Sequence, residues 1–386
     1  MQASHVSTPI AGHIGTIFVA IELSQKNWLV TLHSPDRDRL SHHKVAAGDG
    51  SGLLSLLERL REQAGRKLGA APRVRSCYEA GYDGYWLHRF LQANGVENHV
   101  FDPGSIAVEQ RSRRAKTDRI DGEQLVRTLM AHCRGEPRVV RIVRVPSPDQ
   151  EDARRASRER DRLVGEQTAH TNRIKGLLRL HGFAVGNPRR RDWLKWLAGQ
   201  RDWQGQPLPP QQLAEIEREH ARLMLVREQL VALEKPCAQA QSTPAAVEIG
   251  RRREMLFRLK SLGPAFTSSL TGEVFYKDFT NGRQVGSYFG LAPSPWRSGG
   301  IDREQGISKA GNPRARQKAI ELAWLWVRHQ PDSALTLWFH ERTVKASKRI
   351  KRIAIVALAR KLMVALWRFL TTGLVPTGAK LKPASA

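Results

Sequence analysis

The chain has 386 residues, with 63 Lys and Arg against 37 Asp and Glu, a formal net charge of +26 and an isoelectric point near 10.8. Its 40% hydrophobic content is enough to bury several cores, which excludes a disordered basic tail, and the charge excess predicts a polyanionic partner, nucleic acid first. A membrane anchor is argued against, because the most apolar stretch, KRIAIVALARKLMVALWRFL, is broken by Arg360 and Lys361 and reads as a packed amphipathic helix.

From the N-terminus, MQASHVSTPIAGHIG lacks the basic and apolar regions of a secretory signal, and Cys77, Cys133 and Cys237 show neither zinc spacing nor an even disulfide set. A reduced, cytoplasmic protein is expected. GTIFVAIEL and NWLVTLH are β-branched and aromatic runs joined by SQK, and LSHHKVAAG offers a third strand. Then come a helix in SGLLSLLERLREQAG, a strand in RVRSCYEAG, a helix in GYWLHRFLQANG closed by Gly95, a strand in VENHVFD and a helix opened by KTDRID. The order βββαβαβα predicts an α/β sheet with helices on its faces, as in ribonuclease-H-like nuclease domains.

The middle of the chain, from EDARRASRERDRL to REQLVALEKP, consists of long charged helix-forming segments. Ile216, Leu223 and Leu230 recur at seven, with Leu213 and Leu233 near the complementary positions, which predicts a short antiparallel hairpin or coiled coil. Between its arms, NPRRRDWLKWLAGQRDWQGQPLPP sets three tryptophans among basic residues, suited either to stacking on bases or to anchoring a loop in a core. Beyond Arg251, LKSLGPAFTSSLTGEV resembles a helix-hairpin-helix turn, with Ala265 where the second glycine is usual. In PWRSGGIDREQGISKAGNPRARQKA, Gly299 and Gly300 let a phosphate approach the backbone beside Ser298, and Arg297, Lys309, Arg314 and Arg316 supply charge. On the motif alone, Ser-Gly-Gly is also a common loop.

Four acids carry the argument further. Asp118 and Asp121 suit an N-cap and a third helical position, yet with Leu125 and Leu129 they line the helix side that faces a core. Acids there need a partner, either Arg119 or Arg127 or a divalent cation. Glu22 interrupts an apolar strand and Glu79 closes another; singly they read as a buried ion pair and a solvated strand end. Together, the topology brings Glu22, Glu79, Asp118 and Asp121 to one end of the sheet, where an all-oxygen set suits Mg2+ or Mn2+.

The ordered set VAIELSQKNW, YEAGYDGYWLHRFLQANG, DPGSIAVEQRSRRAKTDRIDGEQLV and FTNGRQVGSYFGLAPSPWRSGGIDREQGISKAGNPRARQKA resembles the DEDD-type insertion-sequence transposases guided by a bridge RNA. The resemblance implies a RuvC-like catalytic domain over residues 1–145, with Glu22, Glu79, Asp118 and Asp121 as its Mg2+ (or Mn2+) tetrad. It implies a helical coiled-coil arm for dimerisation and RNA contact over 146–250, a mainly α transposase domain over 251–375 and a flexible tail over 376–386. Ser298 matches the family's nucleophile, which becomes covalently joined to DNA; Ser308 is the fallback. The implied partners are element-end and target DNA, a noncoding bridge RNA and further copies of the chain. Arg113, Arg114, Lys116, Arg297, Gly299, Gly300, Lys309, Arg314 and Arg316 are the residues expected to meet nucleic acid. The first acid of the family is usually Asp; Glu22 adds a methylene and roughly 1.5 Å of reach. The alternatives are a structure-specific endonuclease in which the acids activate water, and a non-catalytic nucleic-acid-binding protein.

Overall fold

In the computed structural model, the run TIFVAIE forms β1 (Thr16–Glu22), buried from Thr16 to Ile21 on both faces, as befits a central strand. The structure describes residues 15–37, 39–81, 84–106, 118–234, 244–298 and 301–383; the side chains of Asp118, Ala245, 296–298 and 301–305 lie outside the description. The chain divides into two units, Met1–Val145 and Pro146–Ala386.

In the first unit, β2 (Asn27–His33) pairs antiparallel with β1, and β3 (Ser41–Ala46) with β2. Helix α1 (Gly50–Leu68) is capped by Asp49, which accepts from the Gly52 amide at 2.7 Å, and it ends at Gly69 with φ 72°. It leads into β4 (Arg73–Glu79), parallel to β1, and α2 (Trp86–Ala93) leads into β5 (Glu97–Phe101), parallel to β4. The result is a five-stranded mixed sheet of order β3-β2-β1-β4-β5, followed by α3 (Asp118–Cys133). The sequence-predicted order βββαβαβα is the observed one.

Strand alternation divides the core in two. Ile17, Val19 and Ile21 pack with Leu53 and Leu57 of α1 and Leu87 and Leu91 of α2. Phe18 and Ala20 turn the other way and join Cys77, Phe101 and the α3 residues Leu125, Val126 and Leu129. Helix α3 crosses its face of the sheet from β2 towards β5. Gly122 lies against Thr31, the Leu125 carbonyl accepts from the Cys77 thiol at 3.7 Å, and the His132 and His99 rings meet at 5.3 Å.

The second unit begins with α4 (Pro148–Asp152) and α5 (Arg155–Leu180), and its α6 (Trp193–Ala198) precedes α7 (Pro210–Glu234). Helices α5 and α7 are antiparallel, because their pairs Arg160–Glu234, His170–Glu219 and Arg173–Glu215 run in opposite directions along the two helices. Ile216 and Leu223 of the seven-residue repeat are buried and Leu230 is half-buried. Of the three tryptophans between the arms, Trp193 is buried and stacks on His220 at 5.2 Å, Trp196 packs beside it, and Trp203 is 81% exposed.

The remaining elements are α8 (Pro244–Phe257), α9 (Pro264–Glu273), α10 (Gly282–Tyr288), β6 (Pro293–Ser298), β7 (Ile301–Ile307), α11 (Pro313–His329), α12 (Ala334–Thr343) and α13 (Lys348–Thr372). They close around α13, whose Leu358, Leu362 and Leu366 are fully buried. In the Ser-Gly-Gly region Ser298 ends β6 and pairs with Ile301, and Gly299 and Gly300 between them lie outside the described residues. Residues 376–382, expected to be a flexible tail, are bonded to the body. The Lys260 amide donates to the Lys380 carbonyl at 3.0 Å and the Lys382 amide to the Arg258 carbonyl at 2.7 Å. Among the described residues no helix is long and apolar enough to cross a membrane.

A Cβ at Gly122 would stand 2.5 Å from Thr31 Oγ1, so the glycine sets how closely α3 approaches β2. Gly122→Ala is expected to lower unfolding free energy by about 1–3 kcal/mol in urea denaturation, with part of the loss recovered in Gly122→Ala/Thr31→Ala.

Candidate active site

The parallel register pairs Ala20 of β1 with Cys77 of β4. Two residues further along both strands stand Glu22 and Glu79, the last residues of each. The same register therefore sets them side by side, on strands roughly 4.8 Å apart, and on the face of Ala20 and Cys77 that α3 covers. Glu22 is half-buried and Glu79 exposed. Asp121 is half-buried and adjoins Gly122, which rests on Thr31, the ladder partner of Ala20. Asp118 opens the same helix, with its side chain outside the described residues.

The cation expected beside these aspartates goes elsewhere. Arg119 Nε lies 3.3 Å from Glu123 Oε1, and His42 Nε2 lies 3.5 Å from the same oxygen while its Nδ1 meets Thr31 Oγ1 at 3.1 Å. Glu123 braces the helix to β2 and β3, and among the described residues Asp121 forms no ion pair. By chemistry the four acids offer only oxygen donors, the type that a hard divalent ion takes. Among the described residues no group of three His, Cys, Asp or Glu side chains is close enough to hold a metal. Arg113, Arg114 and Lys116 lie outside the described residues.

In the second unit, Gly299 and Gly300 and the side chains of Arg297 and Ser298 lie outside the description, but the strand that carries Ser298 is anchored at its other end. The Ser308 amide donates to the Ala292 carbonyl at 2.8 Å and the Lys309 amide to the Gly290 carbonyl at 3.1 Å. Lys309 adopts φ 56°, a left-handed conformation rare outside glycine, and presents an exposed side chain. Gly311 is required by space, since a Cβ there would lie 2.5 Å from the Tyr288 carbonyl oxygen. Arg314 is exposed, whereas Arg316 turns inward and donates from Nη1 to the carbonyls of Lys309 at 3.1 Å and Phe289 at 3.3 Å. Asn312 caps α11, accepting from the amides of Arg314 and Ala315. At the helix-hairpin-helix-like turn, Gly263 precedes α9 and Ser261 takes φ 95°.

Sequence reading missed the group that holds this loop. Glu273, 4% exposed at its side chain, receives Arg158 Nε at 2.5 Å and Nη2 at 3.0 Å, and its second oxygen also accepts from Asn312 Nδ2 at 3.3 Å. Tyr288 Oη donates to the Glu273 carbonyl at 2.7 Å. Burial pushes the Glu273 pKa up, but the Arg158 guanidinium outweighs it and holds the carboxyl below the usual glutamate range. The available signal was a lone acid at the end of the apolar segment FTSSLTGEVF, the same signal that marked Glu22.

Comparison with known proteins gives a consistent set. The profile of the IS116/IS110/IS902 transposase family matches residues 253–337, and that of the DEDD transposases of IS110 matches residues 19–182. The Sinorhizobium fredii protein named "Putative transposase y4rJ" is 46% identical over 386 aligned residues, covering 97% of each chain. The transposase for insertion sequence element IS1111A of Coxiella burnetii is 25% identical over 74% of each chain. That for element IS1328 of Yersinia enterocolitica is 24% identical over 90% of this chain and 98% of its own.

Glu273→Gln keeps the shape and removes the charge. It is expected to lower stability at neutral pH by about 1.5–3 kcal/mol in thermal or urea unfolding. Because the folded pKa is depressed, this contribution is fully present above the unfolded glutamate pKa of about 4.3 and is lost as pH falls through the lower folded value. The variant should show a shallower stability decline over that acid window than the parent.

Proposed function

The chain belongs to the IS116/IS110/IS902 family of DNA transposases, and from that membership we propose that it cuts and rejoins DNA through a phosphoserine bond formed by Ser298. In the first step Ser298 Oγ bonds to the phosphorus of a DNA diester as the ester bond to one strand end breaks. The serine gives up its proton and the departing oxygen gains one, so the freed strand ends in a hydroxyl. In the second step a hydroxyl end of another strand attacks the phosphoserine, which restores a diester and a neutral serine. The bond energy is conserved in the linkage, and no nucleoside triphosphate is needed.

Glu22, Glu79, Asp118 and Asp121 would hold Mg2+ or Mn2+, which when bound supplies Lewis-acid stabilisation of charge on the phosphate. The observation that carries their assignment is the β1–β4 register, which sets Glu22 beside Glu79 on the α3 face of a 3-2-1-4-5 sheet, the arrangement expected of a RuvC-like domain. Asp121, without an ion pair among the described residues, supports it. Lys309 and Arg314, exposed on either side of the Asn312 cap, would contact the strand backbone, as would Arg113, Arg114, Lys116 and Arg297. Gly299 and Gly300 would admit the phosphate, and Arg316 would act by holding the Lys309 carbonyl. A noncoding bridge RNA would choose the element and target sequences by pairing, with the α5–α7 arm joining copies of the chain and meeting that RNA.

The test mixes protein copurified with RNA from the flanking noncoding sequence with labelled element-end and target DNA and Mg2+, and resolves the products under denaturing conditions. A protease-sensitive DNA–protein band mapping to Ser298 is expected, absent in Ser298→Ala. Persistence of that band in Ser298→Ala with its loss in Ser308→Ala would move the nucleophile to Ser308. Free cleaved ends without any band would make the protein a hydrolytic nuclease. Glu79→Ala and Asp121→Asn are each expected to abolish cleavage while salt-sensitive DNA binding persists; cleavage at the parental rate would remove that residue from the site.

A further inference from the structure

Helix α13 contains seven Lys and Arg residues and no acid, and four of them, Lys348, Arg349, Lys351 and Arg352, fall within its first turn and a half. That is the end at which the helix dipole is positive and cations are least welcome. Elsewhere in this unit some basic side chains find acids, as Arg158 finds Glu273 and Lys318 finds Asp161. Among the described residues none of the seven on α13 forms a salt bridge. Clustered charge of one sign, placed against the dipole, attracts an anion from outside the fold.

The anion has a place to lie. A groove of about 1850 Å³ follows α13 and passes the start of α10 and the base of the β6–β7 hairpin at Pro293, Gly306 and Ile307. Arg349, Arg352, Arg360, Lys361 and Arg368 border it over roughly 30 Å of helix. Its floor is apolar: Ile353 is 56% and Leu374 73% exposed, with Val356 and Val364 between the cations. Trp367 also lines it, and its buried Nε1 has no hydrogen-bond partner among the described residues.

We propose that this groove is a channel for a single strand of DNA. A duplex turns its phosphates and sugars outward and offers nothing to an apolar floor, whereas an unpaired strand presents base and sugar faces to such a floor and phosphates to a basic rim. The channel also leads to the right place. From Pro293 in the groove wall to Ser298 is one strand of roughly 17 Å, so a strand lying in the groove ends its run beside the hairpin that carries the proposed nucleophile. The choice of DNA as occupant rests on the strand-transfer reading above, and the test separates the two.

The test uses the full chain with Ser298→Ala, so that no covalent product forms, and measures equilibrium anisotropy of a labelled DNA single strand and its matching duplex over a salt series. The parent should prefer the single strand. Arg349→Gln/Arg352→Gln/Arg360→Gln should reduce the single-strand log–log salt slope by about 2 and abolish the preference, since each strand contact contributes about 0.7. Ile353→Gln, which changes the floor and no charge, should weaken single-strand binding and leave duplex binding in place. Neutralising the exposed Arg189, Arg191 and Arg201 of the arm should leave the preference intact. If the triple glutamine variant fails to fold by circular dichroism, Arg349→Lys/Arg352→Lys/Arg360→Lys and Ile353→Gln decide the matter, the first keeping the slope and the second losing the preference. An unchanged slope or preference in the folded triple variant, an unchanged preference in Ile353→Gln, or equal binding of the RNA strand of the same sequence would overturn the proposal. Absence of a Ser298 adduct in the unsubstituted chain, with the single-strand preference retained, would instead fail the nucleophile and leave the channel standing.

Discussion

A chain with 63 basic and 37 acidic residues folds under a constraint that shapes everything else: cations greatly outnumber the anions available to them. Acids in such a chain are drawn into pairs, and the structure shows where they go. Glu273 takes Arg158, Glu248 takes Arg251 and Arg252, and Glu123 takes Arg119. Against that background a helix that carries seven cations and no acid stands out. Among the described residues Asp121 forms no ion pair, and neither does any of the seven cations of α13. The two features sit in different units, and the proposed ligands are opposite in charge, a metal ion for the first and a phosphate backbone for the second.

The sheet was legible in the residues because each strand is a run of β-branched and aromatic side chains bounded by polar turns, and because its topology follows from strand and helix order alone. The Glu22–Glu79 alignment was legible only in outline. Sequence could place both acids at strand ends, but the one-to-one match needed the β1–β4 register, which depends on packing between residues far apart in the chain. The β6–β7 hairpin was hidden by Pro293 and Pro295, which argue against a strand wherever a ladder amide is required. Glu273 was hidden for a different reason. Its partner Arg158 lies 115 positions away, and no local spacing announces a contact of that range.

The tryptophan-rich segment shows why composition alone leaves two readings open. Trp193 and Trp196 serve the core of the arm, while Trp203 stands in solvent, although all three occur among similar basic neighbours. Burial is decided by which side of the turn each ring occupies once α5 and α7 have paired. Glu22 carries the same lesson in the other unit: its extra methylene changes the reach of the carboxylate and leaves its register and face unchanged.

The Arg158–Glu273 pair has a mechanical meaning beyond its contribution to stability. Arg158 stands in the first turn of α5, a 26-residue helix about 39 Å long that projects towards the tryptophan-rich tip. Glu273 also holds Asn312, the residue from which α11 and its arginines start. The ion pair thus ties the root of the arm to the start of α11. The carboxylate at the root of the arm is the same one that bonds Asn312, three residues beyond Lys309, so the arm and that loop share one anchor.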